Sequence, residues 1–243
     1  VFMFAHDIES LGRYQSTRKK AFFFSVLLKF SHLLVVQNEY EYNNINEKTN
    51  GKAVILKKGL DLEKILSSKK KQYDCIWIAR CEPWKRPELF IELAVKNPKA
   101  KFLMVCSKVE KSEAYFYKIK NMCSEVDNIE FYDFVDNNEI YAILSKSKLF
   151  CITSEMEGDW PMTVLESAAT GLPILSYNLN YGGLFSEYDA GYLCDSDPDL
   201  LDSYFNKLIN SKRIYEKKSK GAFKYIVENH NIKKNVDTML SFL

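Results

Sequence analysis

Short runs of β-branched and aromatic residues recur along the chain, separated by longer stretches in which apolar residues return with the period of a helix. A short apolar run bounded by polar or turn-forming residues reads as a strand, and the longer period as a helix with one apolar face. On this pattern strands fall at residues 1–5, 32–37, 53–56, 74–79, 101–106, 129–132, 149–153 and 173–177. Amphipathic helices fall between them at 87–96, 111–125, 138–147 and 162–170. Alternating strands and helices predict parallel strands joined by crossovers, hence an α/β fold built on a Rossmann-like, doubly wound parallel sheet. From Pro198 onward the strand pattern stops and the chain turns helical, with Gly221 and the polar run 228–231 as the expected breaks before a terminal helix from Ile232.

The segment 57–72 is rich in Lys and Ser and contains Gly59, which makes it the expected domain junction; its run Lys69, Lys70, Lys71 reads as a solvated linker. The chain therefore divides into a partial domain at 1–60, a full Rossmann-like domain at 61–227 and a C-terminal helix at 228–243 that crosses back to the first part. With 243 residues and 47% apolar content the chain can bury a sizeable core. The most apolar stretch, 21–36, is interrupted by Lys29, Ser31 and His32 and is too short to span a bilayer, so it reads as a helix followed by a buried strand, with peripheral membrane contact left open. The chain starts at Val1 with no leader pattern, as a piece of something longer would.

Charge removes one class of partner. Lys and Arg number 34 against 32 Asp and Glu, too even a balance to recruit nucleic acid. Six cysteines are scattered without a C-x-x-C pair or a neighbouring His, as suits buried thiols in a reducing compartment rather than a metal set.

In a doubly wound sheet ligands bind beyond the carboxyl ends of the strands, so chemistry is sought in the residues that come after each strand. Arg80 and Lys85 share the loop after the strand at 74–79, with Pro83 and Trp84 between them and Pro87 opening the helix. A planar guanidinium fork and a mobile ammonium together suit a diphosphate; the plainer alternative is solvated cations at a helix start, where they would oppose the helix dipole. After the strand at 149–153 the loop Ser154, Glu155, Met156, Glu157, Gly158, Asp159, Trp160 leads through Pro161 into a helix carrying Met162, Thr163 and Glu166. Free N–H groups of Met162 and Thr163 would face a phosphate, Glu166 could accept from two ribose hydroxyls, and Glu157 could take those of a sugar. Glu166 alone is equally a dipole-matching acid. The third position, Asn180, Tyr181, Gly182, Gly183 with Glu187 nearby, is either a close backbone approach to a ligand or a simple turn.

At these residues the sequence resembles the GT-B glycosyltransferases, specifically the retaining glycosyltransferase family four. Arg80 and Lys85 match that family's Arg and Lys pair, and Ser154, Glu157, Gly158, Glu166, Ser167, Ala168, Gly171 and Pro173 match its Ser-x-x-Glu-Gly loop, second Glu and following run. Gly183, Glu187 and Gly191 resemble its Gly and Glu before a short strand and the Gly of that strand's turn. Lys58, Gly59, Leu60 and Asp61 resemble the end of its N-terminal domain, and His6 with Asp7 its His-Asp. Eight residues separate Glu157 from Glu166 where the family usually has seven, so Asp159 and Trp160 are expected to bulge the loop. The family's Gly before the Arg is Ala79 here, and its glycines after the next strand are replaced by Cys106, Ser107 and Lys108.

The resemblance implies transfer of a sugar from a nucleoside diphosphate sugar to an acceptor hydroxyl with retention, in polysaccharide or glycoconjugate synthesis. It assigns catalytic roles to Glu157, His6, Arg80 and Lys85, and donor binding to Arg80, Lys85, Glu157, Gly158, Met162, Thr163, Glu166, Val135 and Gly183. No Asp-x-Asp motif stands at the end of a strand that the apolar pattern predicts, so no metal is expected, and no cofactor beyond the donor substrate. The implied partners are a nucleotide-sugar donor and a sugar, glycan or lipid-linked acceptor, and the implied location is cytoplasmic, with a place at the inner face of the membrane left open. Two other readings stay open: a nucleotide-sugar epimerase or sugar-phosphate synthase on the same fold, and a non-catalytic nucleotide-sugar-binding protein.

Overall fold

The computed structural model describes residues 2–4, 18–30, 32–39, 41–43, 53–65 and 70–242. The chain forms two compact units, Val1–Asp61 with Asn229–Leu243, and Leu62–Glu228.

The smaller unit holds strands β1 (Phe2–Phe4), β2 (Leu33–Val36) and β3 (Ala53–Ile55) in a parallel sheet of order β1-β2-β3, with helix α1 (Arg18–Phe30) between the first two. β2 is buried along its whole length, which explains its unbroken apolar run. The C-terminal helix α8 (Ile232–Leu240) belongs to the same unit. Leu60 N–H donates to His230 O at 2.7 Å, Ile232 N–H donates to Leu60 O at 3.1 Å, and the Asn235 amide donates to Lys57 O at 2.7 Å. A Cβ on Gly59 would lie 2.8 Å from Ile232 Cα, so this crossing requires glycine.

The larger unit is built on β4 (Tyr73–Arg80), α2 (Pro87–Lys96), β5 (Phe102–Ser107), α3 (Glu113–Ser124), β6 (Ile129–Tyr132), α4 (Ile140–Ser145), β7 (Ser147–Ile152), α5 (Met162–Ala169), β8 (Ile174–Ser176), β9 (Gly191–Leu193), α6 (Pro198–Asn210) and α7 (Lys212–Asn229). Its six strands are parallel in the order β6-β5-β4-β7-β8-β9. Along β4 and β5, Cys75, Trp77, Phe102, Met104 and Cys106 join the cluster under α2, α3 and α6, while Ile76, Ile78, Leu103 and Val105 are buried as well. Both faces of the sheet are thus covered, and each fully buried Leu, Ile or Phe contributes roughly 1.5–3 kcal/mol. Phe102 meets Phe90 of α2 edge-on at 5.4 Å and stacks on Phe205 of α6 at 5.3 Å, pinning both helices to β5. All six cysteines are free, buried and in this unit.

Three expectations are corrected. The helix expected at 138–147 is shorter, because Ser147 already pairs with Tyr73 and opens β7. The short strand β9 lies outside the strands that the apolar pattern predicts, though where the family resemblance expects one: it has three residues and starts with Gly191, where a Cβ would lie 1.8 Å from Ile174 O. Gly221 does not break the chain; it lies inside α7, where a Cβ would come 2.0 Å from Tyr188 O. A backbone pressed against the helix, rather than a helix end, is what calls for glycine there.

Candidate functional site

Numbered within the larger unit, the strand order is 3-2-1-4-5-6, so the chain reverses direction across the sheet between β4 and β7. At such a switch point neighbouring loops leave in opposite directions and open a crevice at the strands' carboxyl ends. A cleft of about 200 Å³ lies there, its walls including Arg80, Lys85, Ser154, Pro161, Met162 and Thr163.

The loop from β4 turns sharply before α2. Pro83–Lys85 forms a single 3-10 turn, and Arg86 comes next in the left-handed region with φ 48°. That conformation is sparsely populated by residues other than glycine; here the Arg86 guanidinium lies 5.1 Å from the centre of the Tyr177 ring and 3.6 Å from Glu155 Oε1. The Arg80 side chain is 65% exposed, with Nη2 3.1 Å from Glu82 Oε2. Lys85 is instead buried, so the reading of a solvated cation at a helix start does not hold for it.

Hydrogen bonds join the loops after β4 and β7. Trp77 Nε1 donates to Thr153 Oγ1 at 2.9 Å, that hydroxyl donates to Lys85 O at 2.6 Å, and Glu155 N–H donates to Trp84 O at 2.8 Å. Lys85 Nζ donates to Glu157 Oε1, an ion pair between two largely shielded side chains. In α5 the first intrahelical bonds run from Val164 and Leu165 N–H to Pro161 O, at 3.0 and 3.3 Å. The N–H groups of Met162 and Thr163 thus belong to the open helix end, which carries no acidic residue in its first turn. A helix end of this kind attracts an anion. Glu166 lies one turn after Thr163 on the same face, and burial pushes its carboxyl above the usual carboxylate range.

Arg80, Lys85, Met162 and Thr163 therefore line one cleft, and Glu157 is joined to them through Lys85. Gly158 is exposed beyond Glu157. Gly183, at φ 71°, leaves room for the Glu187 carboxylate, which a Cβ would meet at 2.5 Å. Val135 comes after β6, the edge strand separated from β4 by β5, and does not line the cleft. His6 lies outside the described residues. Asp159 and Trp160 do not simply bulge outward: the indole is fully buried, and its Nε1 donates to Tyr181 O at 3.1 Å. Sequence reasoning passes over Trp77 and Thr153 as parts of this arrangement, and it places Tyr181 in a third candidate position without its bonds to Trp160 and Glu157.

An open parallel sheet in this order, with an anion-receptive crevice at its switch point, defines the Rossmann-like class of nucleotide-binding folds. Within that class, residues 61–239 match the family model for glycosyl transferases group 1, and the chain belongs to that family. Over 166 residues it is 27% identical to the O-antigen biosynthesis glycosyltransferase WbnH of Escherichia coli, a match covering 68% of this chain and 46% of that relative. The match thus spans about half the length of the curated relative. Its fold is that of the GT-B glycosyltransferases. HepE of Anabaena in complex with UDP and glucose superposes with a TM-score of 0.78 at 14% identity, over 100% of this chain and 71% of that one. A TarM mutant of S. aureus in complex with fondaparinux, α-GlcNAc-glycerol and UDP gives 0.74 at 17% identity, over 99% and 50%. Sucrose-phosphate synthase from Thermosynechococcus elongatus gives 0.76 at 14%, over 99% and 66%. Among the described residues no helix is long and apolar enough to cross a membrane.

Proposed function

We propose that the larger unit is the donor-binding half of a retaining, metal-independent glycosyltransferase that uses a nucleoside diphosphate sugar, in glycan synthesis of the O-antigen kind. The observation that carries this reading is the meeting of Arg80, Lys85 and the open N-terminus of α5 at one cleft. Negative charge builds on the diphosphate as the bond from the anomeric carbon to the leaving phosphate oxygen breaks. The Lys85 ammonium, released from Glu157 as the diphosphate enters, the Arg80 guanidinium and the helix N–H groups stabilise that charge, the usual source of the largest catalytic term. Retention takes a front-face course: the acceptor oxygen forms its bond on the face the phosphate leaves, and its proton passes to the departing phosphate. Glu157 then receives sugar hydroxyls, and Glu166 receives those of the ribose.

Calorimetric titration of the chain with UDP, GDP and ADP tests the assignment. One of them is expected to bind, and Arg80→Ala to weaken it by about tenfold or more, since charge-assisted hydrogen bonds contribute roughly 1.5–3 kcal/mol. Glu166→Gln is expected to weaken nucleoside binding, whereas Glu125→Gln, exposed at the end of α3, leaves it unchanged. Unaltered binding by both Arg80→Ala and Glu166→Gln would place the site elsewhere.

A further inference from the structure

The loop that carries Glu157 is closed onto the segment after β8 by two hydrogen bonds to one residue. Trp160 Nε1 donates to Tyr181 O, and the Tyr181 hydroxyl donates back to the main-chain oxygen of Glu157. The Trp160 ring is fully buried, edge-on to Tyr181 at 5.1 Å and to Phe185 at 6.1 Å. The adjacent Gly182 holds Tyr181 in place in its turn. It has φ 58°, and a Cβ there would lie 2.6 Å from the Tyr225 hydroxyl oxygen of α7.

The geometry sets both ends of the candidate site at once. One hydrogen bond holds the backbone from which the Glu157 side chain reaches Lys85, and the other holds Trp160, the residue immediately before Pro161 and α5. We infer that Tyr181 and Trp160 are positioning residues that aim Glu157 at the donor's sugar, acting through the loop without touching the substrate. The inference rests on the donor site proposed above.

Tyr181→Phe isolates the effect, because the ring and its packing on Trp160 remain while the hydroxyl is lost. Trp160→Phe does the same for the other bond, keeping an aromatic ring in the pocket. Calorimetry with UDP, GDP and ADP identifies the nucleotide bound by the wild type, and its glucose-, galactose- and N-acetylglucosamine-bearing forms then probe the sugar. Either variant is expected to bind the bare diphosphate within about twofold of wild type while losing about fivefold in affinity for the sugar-bearing form, the effect of one hydrogen bond. The unfolding temperature of Tyr181→Phe is expected to fall by no more than about 2–4 °C, the effect of one hydrogen bond. Equal losses for both ligands, or no loss for either, overturn the positioning role and leave only packing. A wild-type chain that binds none of the nucleotides overturns the donor site and this inference together, whereas wild-type binding with an unaltered Tyr181→Phe overturns this inference alone.

Discussion

Lys85 cannot serve a diphosphate and Glu157 at full strength simultaneously, and this competition gives a prediction of unusual sign. The two side chains are 9% and 16% exposed, so solvent screens their attraction only in part. A diphosphate entering the cleft has to draw the ammonium away from the carboxylate, sacrificing a charge-assisted hydrogen bond of roughly 1.5–3 kcal/mol. Glu157→Gln keeps the shape of the side chain and removes the competing charge. Bare nucleoside diphosphate should then bind about tenfold more tightly, close to the lower end of that range because the displaced carboxylate recovers water. Folding stability should move the other way, falling by about 3 kcal/mol as Lys85 is left shielded without its counter-charge. Lys85→Met, by contrast, should lose both diphosphate affinity and stability. Isothermal titration at low salt gives the affinities, and thermal unfolding with and without nucleotide gives the stabilities. The two readings cross-check, since a tighter ligand produces a larger shift in unfolding temperature. Bare diphosphate that binds Glu157→Gln no better than wild type would refute the idea that the ion pair guards the phosphate position.

Burial and packing lead to two further outcomes. The folded state holds the proton of Glu166 more tightly than the unfolded chain does, so its contribution to stability declines as pH rises above about 4.3 and is lost above the raised folded value. Without nucleotide, Glu166→Gln should therefore unfold at a higher temperature than wild type near about pH 7 and match it near about pH 4; identical differences at both would remove burial as the cause. Gly221→Ala would stabilise an ordinary helix interior by about 1 kcal/mol, but here the added carbon would lie 2.0 Å from Tyr188 O. A net loss of about 1–2 kcal/mol in urea unfolding is expected, and a gain would mean that the Tyr188 segment yields easily.

The central strands are legible because burial on both faces writes itself as an unbroken apolar run: the expected 74–79 and 101–106 correspond to Tyr73–Arg80 and Phe102–Ser107. β9 offers no such run, since three residues carry no period and one of them is glycine. Gly221 misleads because helix rules weigh a glycine's entropy and cannot see a carbonyl brought against it from Tyr188. The lining of the cleft is legible for a topological reason: strand ends at a switch point converge, so Arg80, Lys85, Met162 and Thr163 have to lie near one another once the order is right. Bonds across long separations are another matter. Lys85 and Glu157 are 72 positions apart and Trp160 and Tyr181 are 21 apart, and neither spacing leaves a local pattern.

The placement of the cysteines makes one half of the molecule chemically legible to the experimenter. Cys75, Cys81, Cys106, Cys123, Cys151 and Cys194 are all shielded and all lie within Leu62–Glu228, while the unit made of the two chain ends has none. A thiol-specific label added to the native protein meets almost no target, and each opening of the larger unit presents several at once. Labelling kinetics therefore time the excursions of that unit alone, without an introduced probe and without interference from the other. A nucleotide that slows the reaction must act by holding the larger unit closed.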